Sequence, residues 1–217
     1  MNSSVTPAPL TEETFAHALR VLSDCDPDIA QILQNVGEPP MWVRDEGFPT
    51  LVRIILEQQV SLASAKAAFD RLLAAVSPLT PAGLLQLDDA ALKAIGFSRQ
   101  KTGYSRLLAA AIVEGRFSPD ALRAMDDDSA RAELVKLKGI GPWSADIYLL
   151  MALRRPDAWP TGDLALAQAV QKAKRLSSCP TPHELEVLGE AWRPWRAVAA
   201  RVFWHYYLSA QQKRPSR

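Results

Sequence analysis

Two glycines flank one aliphatic residue at Gly139-Ile140-Gly141, Pro142 and Trp143 follow, and a lone carboxylate, Asp163, stands 20 residues beyond Trp143. Without a Cβ, glycine can take positive φ and lets the backbone come close to a ligand. The amides of a tight turn feeding a helix N-terminus attract an anion, and a DNA phosphate fits that description. A carboxylate one helix later is then a candidate for chemistry on the bound strand. Asp163 also precedes Leu164-Ala165-Leu166-Ala167, the place of an ordinary helix N-cap. One residue can do both jobs.

The elements that must hold these residues read as helices nearly throughout. Thr11 to Ser23 opens with a capping threonine and two glutamates in its first turn, where the helix dipole favours them. Phe15, Leu19 and Leu22 recur on one face at helical spacing. A connector from Gly37 to Pro49 leads into the strongly apolar segment Thr50 to Leu56. Further helices are expected over Ser61 to Val76, Pro81 to Leu87, Asp88 to Ile95 and Ser98 to Glu114. Asp126 to Leu137 enters the glycine turn and Trp143 to Leu153 leaves it. Leu164 to Leu176, Pro182 to Glu190 and Pro194 to Ser209 follow. No β alternation or Asn-Gly hairpin interrupts them, so the expected class is all-α. Residues 1–9 and 211–217 read as frayed ends. Ile95-Gly96-Phe97 echoes the glycine turn and reads either as a second backbone approach to DNA or as a glycine helix stop.

At 217 residues and 48% hydrophobic, the chain can bury a substantial core. Its formal charge of +1, from 25 basic and 24 acidic residues, argues against indiscriminate coating of nucleic acid, though a local field can still attract it. Between Ala90 and Val113 the charged residues are Lys93, Arg99, Lys101 and Arg106, without an acid among them. That run is either a solvated helix face or a DNA-facing one. Cys25 and Cys179 are too few for a disulfide framework or an iron–sulfur cluster and read as buried or half-buried thiols. His17, His183 and His205 lack metal-ligand spacing. With neither an apolar run long enough to span a bilayer nor a signal peptide, a soluble protein, cytoplasmic or otherwise intracellular, is the expectation; a monomer is also expected.

The run Leu137-Lys138-Gly139-Ile140-Gly141-Pro142-Trp143-Ser144-Ala145-Asp146, with Pro160-Thr161-Gly162-Asp163 downstream, resembles the helix-hairpin-helix (HhH-GPD) DNA glycosylase superfamily. Tryptophan at 143, the stretch Ile54 to Ser61, and Pro194-Trp195-Arg196 through Trp204 are similar to its 3-methyladenine DNA glycosylase II (AlkA-type) branch. The resemblance implies two helical subdomains flanking a cleft, residues 1–45 plus 158–217 against 46–157, with the hairpin at 137–143. It leaves no room for the extra N-terminal domain of the enteric enzyme.

By that resemblance Asp163 is the catalytic carboxylate, while Gly139, Ile140 and Gly141 grip DNA phosphates, with Lys101 a further DNA contact. Trp143, Trp204 and Ile147 line the pocket for an extruded base. Ile147 stands where the branch can carry an aromatic residue, which implies a more open pocket. Alkylation makes a purine cationic and a ready leaving group, and indoles attract it through cation–π contact, about 0.5–2 kcal/mol per ring. Trp192 and Trp195 read as packing residues. Strand-nicking relatives place a lysine where Trp143 stands, and an indole forms no imine, so a monofunctional enzyme is implied. Gln58 and Gln59 are the candidates for the wedge that fills the vacated base stack. A structural Na+ or K+ at the hairpin, held by the carbonyls of Val135, Leu137 and Ile140, is implied by resemblance alone, and no iron–sulfur cluster is expected. The expected partner is double-stranded DNA containing alkylated bases. The rival readings are a non-catalytic hairpin DNA-binding module and a glycosylase for oxidised or mismatched bases.

Overall fold

The computed structural model describes residues 8–212. Among them the chain forms twelve α-helices and no strand: α1 (Glu12–Cys25), α2 (Pro27–Val36), α3 (Phe48–Glu57), α4 (Leu62–Ala75), α5 (Pro81–Leu85), α6 (Asp89–Ile95), α7 (Arg99–Val113), α8 (Asp127–Val135), α9 (Pro142–Met151), α10 (Leu164–Lys174), α11 (Pro182–Gly189) and α12 (Arg196–Gln212). Two short 3-10 turns, Pro119–Ala124 and Glu190–Trp192, complete the set. The fold is all-α. None of these helices is long and apolar enough to cross a membrane.

Two compact units divide the chain. Arg44–Leu153 forms the first; the described residues up to Val43, with those from Arg154 onward, form the second. In the first unit α3 is the central helix, packed by α4, α7 and α9. Leu51, Val52, Ile54 and Ile55 are sealed from solvent, and each such side chain contributes about 1.5–3 kcal/mol of burial free energy. The last carbonyls of a helix buried on most faces are shielded from water and need donors, so what holds the α3 C-terminus fixes its position.

In the second unit α12 takes the central place, against α10, α2 and α1. Ala197 to Trp204 is buried throughout, including Arg201, whose guanidinium donates to the carbonyls of Met41 (2.6 Å) and Ala197 (2.8 Å). The far end of α10 is fastened by Lys174, whose ammonium sits 2.6 and 2.7 Å from the two oxygens of Asp26. Asp26 also caps α2 through the Asp28 and Ile29 amides and accepts the Trp192 indole N–H at 2.8 Å. That nearly buried carboxylate thus has donors on every side, the condition under which burying a charge is tolerable.

Several sequence expectations need correction. Helix α2 was not anticipated, although Asp26-Pro27-Asp28 is a strong start signal, with Asp26 as cap and proline in the first turn. Helix α3 begins two residues earlier than Thr50, with Pro49 in its first turn. Both cysteines are exposed, not buried. Gly96 at φ +112 closes α6, its N–H donating to the Leu92 and Lys93 carbonyls, and Phe97 N–H returns to Leu92. That pattern is a helix stop. The frayed ends expected at 1–7 and 213–217 lie outside the described residues, whereas Gln211 and Gln212 belong to the last turn of α12.

Candidate nucleic-acid interface and active site

Helices α8 and α9 form the hairpin of the first unit. Arg131 on α8 donates to the buried Asp146 of α9 at 2.7 Å and also pairs with Asp128, which bolts the two helices together. The connection is tight: Leu137 N–H returns to Leu134 and Ile140 N–H to Leu137. Ile140 itself is buried and anchors the turn.

The two glycines have different tasks. Gly139 sits at φ +96, and a Cβ there would collide with Tyr104, including that residue's Cβ at 2.7 Å. Backbone conformation and packing therefore both demand glycine at 139. Gly141 has φ −91, an ordinary extended value, and a Cβ there would meet nothing within 4 Å. Nothing within the fold demands glycine at 141, so its bare backbone is a place for something from outside to approach.

Gly141 is the N-cap of α9, and it supplies no side-chain cap; the first turn carries no acid. Nine helices instead begin on a capping Ser, Thr or Asp side chain. Helix α3 also starts on a glycine, but the Gly47 N–H there donates to the Tyr148 hydroxyl at 2.8 Å. Helix α9 therefore combines an exposed start, no capping side chain and a helix dipole pointing outward, the requirements for anion binding.

Gln58 and Gln59, alike in sequence, part company in the structure. Gln58 ends α3, and its amide nitrogen donates to the Gly139 carbonyl at 2.8 Å and lies 2.9 Å from the Ser144 hydroxyl. Gln59 takes φ +56, a left-handed value unusual for a residue with a side chain, and is exposed. Beside it Val60 and Leu62 are 45% and 64% exposed. The turn thus offers a protruding amide flanked by apolar side chains.

Lys101 donates its ammonium to the Leu56 carbonyl at 2.6 Å, and burial holds its pKa below the usual lysine value. It neutralises the negative end of the α3 dipole. Arg106 likewise turns to the Leu87 carbonyl (2.6 Å) and Asp89 (3.0 Å). The acid-free stretch from Ala90 to Val113 is therefore only partly a free basic face, with Lys93 and Arg99 exposed on it. Trp143 is half-buried in the first turn of α9, and Ile147, one turn on, is packed into the core at 3% exposure.

In the second unit Asp163 caps α10. Its Oδ1 accepts the Leu166 N–H at 2.7 Å and the indole N–H of Trp204 at 3.1 Å. Trp204, on α12, is buried apart from a small edge. The carboxylate is thus oriented by its own helix and by a side chain from the neighbouring one. Leu164, next in sequence, is a large apolar residue left 67% exposed. Trp192 packs against Trp159 and Phe203, with ring centroids 5.3 and 4.9 Å away, and Trp195 meets His17 edge-on.

Sequence reasoning missed the supports of the site: Tyr104 over Gly139, Ser144 beside Gln58, and the Arg131–Asp146 pair. Each brings together residues from separate elements, which no local spacing announces.

A glycine-started hairpin of two helices and a later helix capped by an aspartate define a helical protein with a hairpin suited to an anionic partner. The family model of the HhH-GPD superfamily base excision DNA repair protein matches residues 52–196, and the chain belongs to that family. DNA-3-methyladenine glycosylase 1 of Schizosaccharomyces pombe is 26% identical over 193 residues, which cover 87% of this chain and 85% of the relative. The Bacillus subtilis protein YfjP is 24% identical over 184 residues; the match covers 81% of this chain but 64% of that longer protein. Among solved structures, the S. pombe 3-methyladenine DNA glycosylase Mag1 in complex with abasic DNA superposes with a TM-score of 0.81 at 25% identity, covering 93% of this chain and all of Mag1.

Proposed function

We propose that this chain is a monofunctional DNA glycosylase, acting inside the cell on duplex DNA, that removes alkylated bases such as 3-methyladenine and 7-methylguanine by hydrolysing the N-glycosidic bond. The observation that carries the reading is Asp163, its Oδ1 fixed by the Leu166 amide and the Trp204 indole. As the bond to an alkylated, cationic base lengthens, the electron pair leaves with the base and positive charge appears on the sugar. A carboxylate whose orientation is set in advance stabilises that charge without reorganising. It also accepts a proton from the water that attacks the sugar carbon. The base departs neutral because alkylation had already supplied its positive charge.

The hairpin supplies the grip, with a phosphate seated at the exposed N-terminus of α9 against Gly141. Gln59 fills the space left in the base stack and Trp143 offers indole surface to a cationic base, whereas Trp204, buried but for a small edge, orients Asp163. Because position 143 carries an indole and not an amine, no imine forms and the strand stays whole. The reading also includes a structural Na+ or K+ on the carbonyls of Val135, Leu137 and Ile140. The last turn of α8 has no basic side chain of its own, so its carbonyl end suits a cation. When bound, the ion would supply charge for a phosphate and take no part in bond cleavage.

The test is incubation with duplex DNA methylated at purine nitrogens. Free methylated purine should appear while the strands stay unbroken until alkali is added. Strands cut before alkali, or tight binding without any free base, would sink the reading.

A further inference from the structure

We propose that Gln58 is a positioning residue that fixes the protruding Gln59 turn in register with the phosphate-gripping hairpin, so that grip and wedge reach DNA as one body. This rests on the function proposed above and adds a role that neither the wedge nor the hairpin supplies alone.

The two features come from distant parts of the chain, the end of α3 and the start of α9. Four contacts join them, two directly through Gln58 and two through α7, all inside the first unit. The Gln58 amide nitrogen reaches the Gly139 carbonyl at 2.8 Å and the Ser144 hydroxyl at 2.9 Å, 81 and 86 residues away in sequence. Lys101 holds the last turn of α3 through the Leu56 carbonyl at 2.6 Å. Tyr104, one turn along α7, covers Gly139 so closely that no Cβ fits there. One face of α7 therefore braces both the wedge turn and the hairpin, and Gln58 links them directly.

That link explains the conformation of the next residue. With Gln58 extended (φ −62, ψ 126) and its side chain drawn inward, the chain must reverse at Gln59, which it does at φ +56. Holding a side-chain-bearing residue there costs energy that surrounding contacts must offset. The result is an amide pointing out of the protein beside exposed Val60 and Leu62. A wedge that protrudes by even one ångström in the wrong place fills no base stack, so its register to the gripped phosphate decides whether binding leads to unstacking.

The experiment uses a duplex with a stable abasic analogue and 2-aminopurine as the neighbouring base, whose fluorescence rises on unstacking. Binding is followed separately by anisotropy. Wild type should bind and raise the fluorescence; failure to do so would overturn the glycosylase reading, and this inference with it. Gln58→Ala should lose about tenfold in unstacking, the scale of one lost buried hydrogen bond, with affinity for undamaged duplex kept within about twofold. Gln59→Ala should lose as much, and the double variant no more than either, because the two act in series. Multiplying losses would make Gln58 a DNA contact in its own right and overturn the proposal.

Gln58→Glu keeps the test clear of general unfolding. Its ionised carboxylate repels the Gly139 carbonyl, whereas the protonated acid regains one O–H donor toward it. Unstacking by that variant should recover as the pH falls from about 8 toward about 5, where a half-buried carboxyl facing a carbonyl takes up its proton. A pH-independent Gln58→Glu alongside a Gln58→Ala equal to wild type would contradict the positioning role.

Discussion

Helices α9 and α10 begin in opposite ways. Helix α9 starts on Gly141 with no capping side chain and no acid in its first turn, whereas α10 starts on Asp163, whose carboxylate takes the cap. Both N-termini carry the same positive end of a helix dipole. At α9 that end faces outward and suits an anion brought by a partner. At α10 it is already engaged by the protein's own anion, which the Trp204 indole orients from the side. In the proposed function one electrostatic device, met by glycine in one place and aspartate in the other, serves grip in the first and chemistry in the second.

Exchanging the two devices should break the contrast, with the largest effect at Asp163. Asp163→Asn keeps a good N-cap, so the thermal midpoint should hold within a few degrees while base release falls by about 10²–10³-fold. Thermal melting and single-turnover release on methylated duplex check both halves. Gly141→Asp should do the converse. It adds to α9 a cap worth about a few tenths of a kcal/mol over glycine, yet puts a negative charge where the proposed phosphate would sit. Affinity for duplex should drop by more than tenfold in a fluorescence titration with no loss of stability, and the drop should shrink as salt rises.

Smaller effects sharpen the picture. Gly139→Ala should lower stability by about 1–3 kcal/mol, measured by urea unfolding, because the left-handed φ and Tyr104 both oppose a Cβ. Gly141→Ala, by contrast, should leave the unfolding midpoint unchanged or slightly raised while still weakening DNA binding. Trp204→Phe removes the indole hydrogen bond to Asp163 and leaves a gap in the core, so stability should fall as well, while single-turnover release by the folded variant should slow about three- to tenfold.

Much of this was legible in the sequence because it depends on local signals. The hairpin glycines, the Asp163 cap and most helices follow from spacing and capping chemistry within a few residues. What stayed hidden depends on long-range approach. Gln58 and Gln59 are indistinguishable as neighbouring amides until the fold brings Gly139 beside one of them. Lys101 reads as a DNA-facing or solvent-facing cation in an acid-free run, yet it turns inward to the Leu56 carbonyl because the end of a buried helix needs a donor. The exposure of Cys25 and Cys179 ran against a compositional tendency that no local pattern could correct. The α2 start at Asp26-Pro27 was available to the same rules and passed unread.

The most direct test of the division of labour is single-turnover base release across a range of protein concentrations for wild type, Gly141→Asp and Asp163→Asn. One titration of this kind reports apparent affinity and the rate at saturation together. Gly141→Asp should need far more protein yet reach nearly the wild-type rate, and Asp163→Asn should saturate normally at a rate reduced by about 10²–10³-fold. An Asp163→Asn protein that releases base at the wild-type rate, or a Gly141→Asp protein that binds as tightly as wild type, would contradict the account.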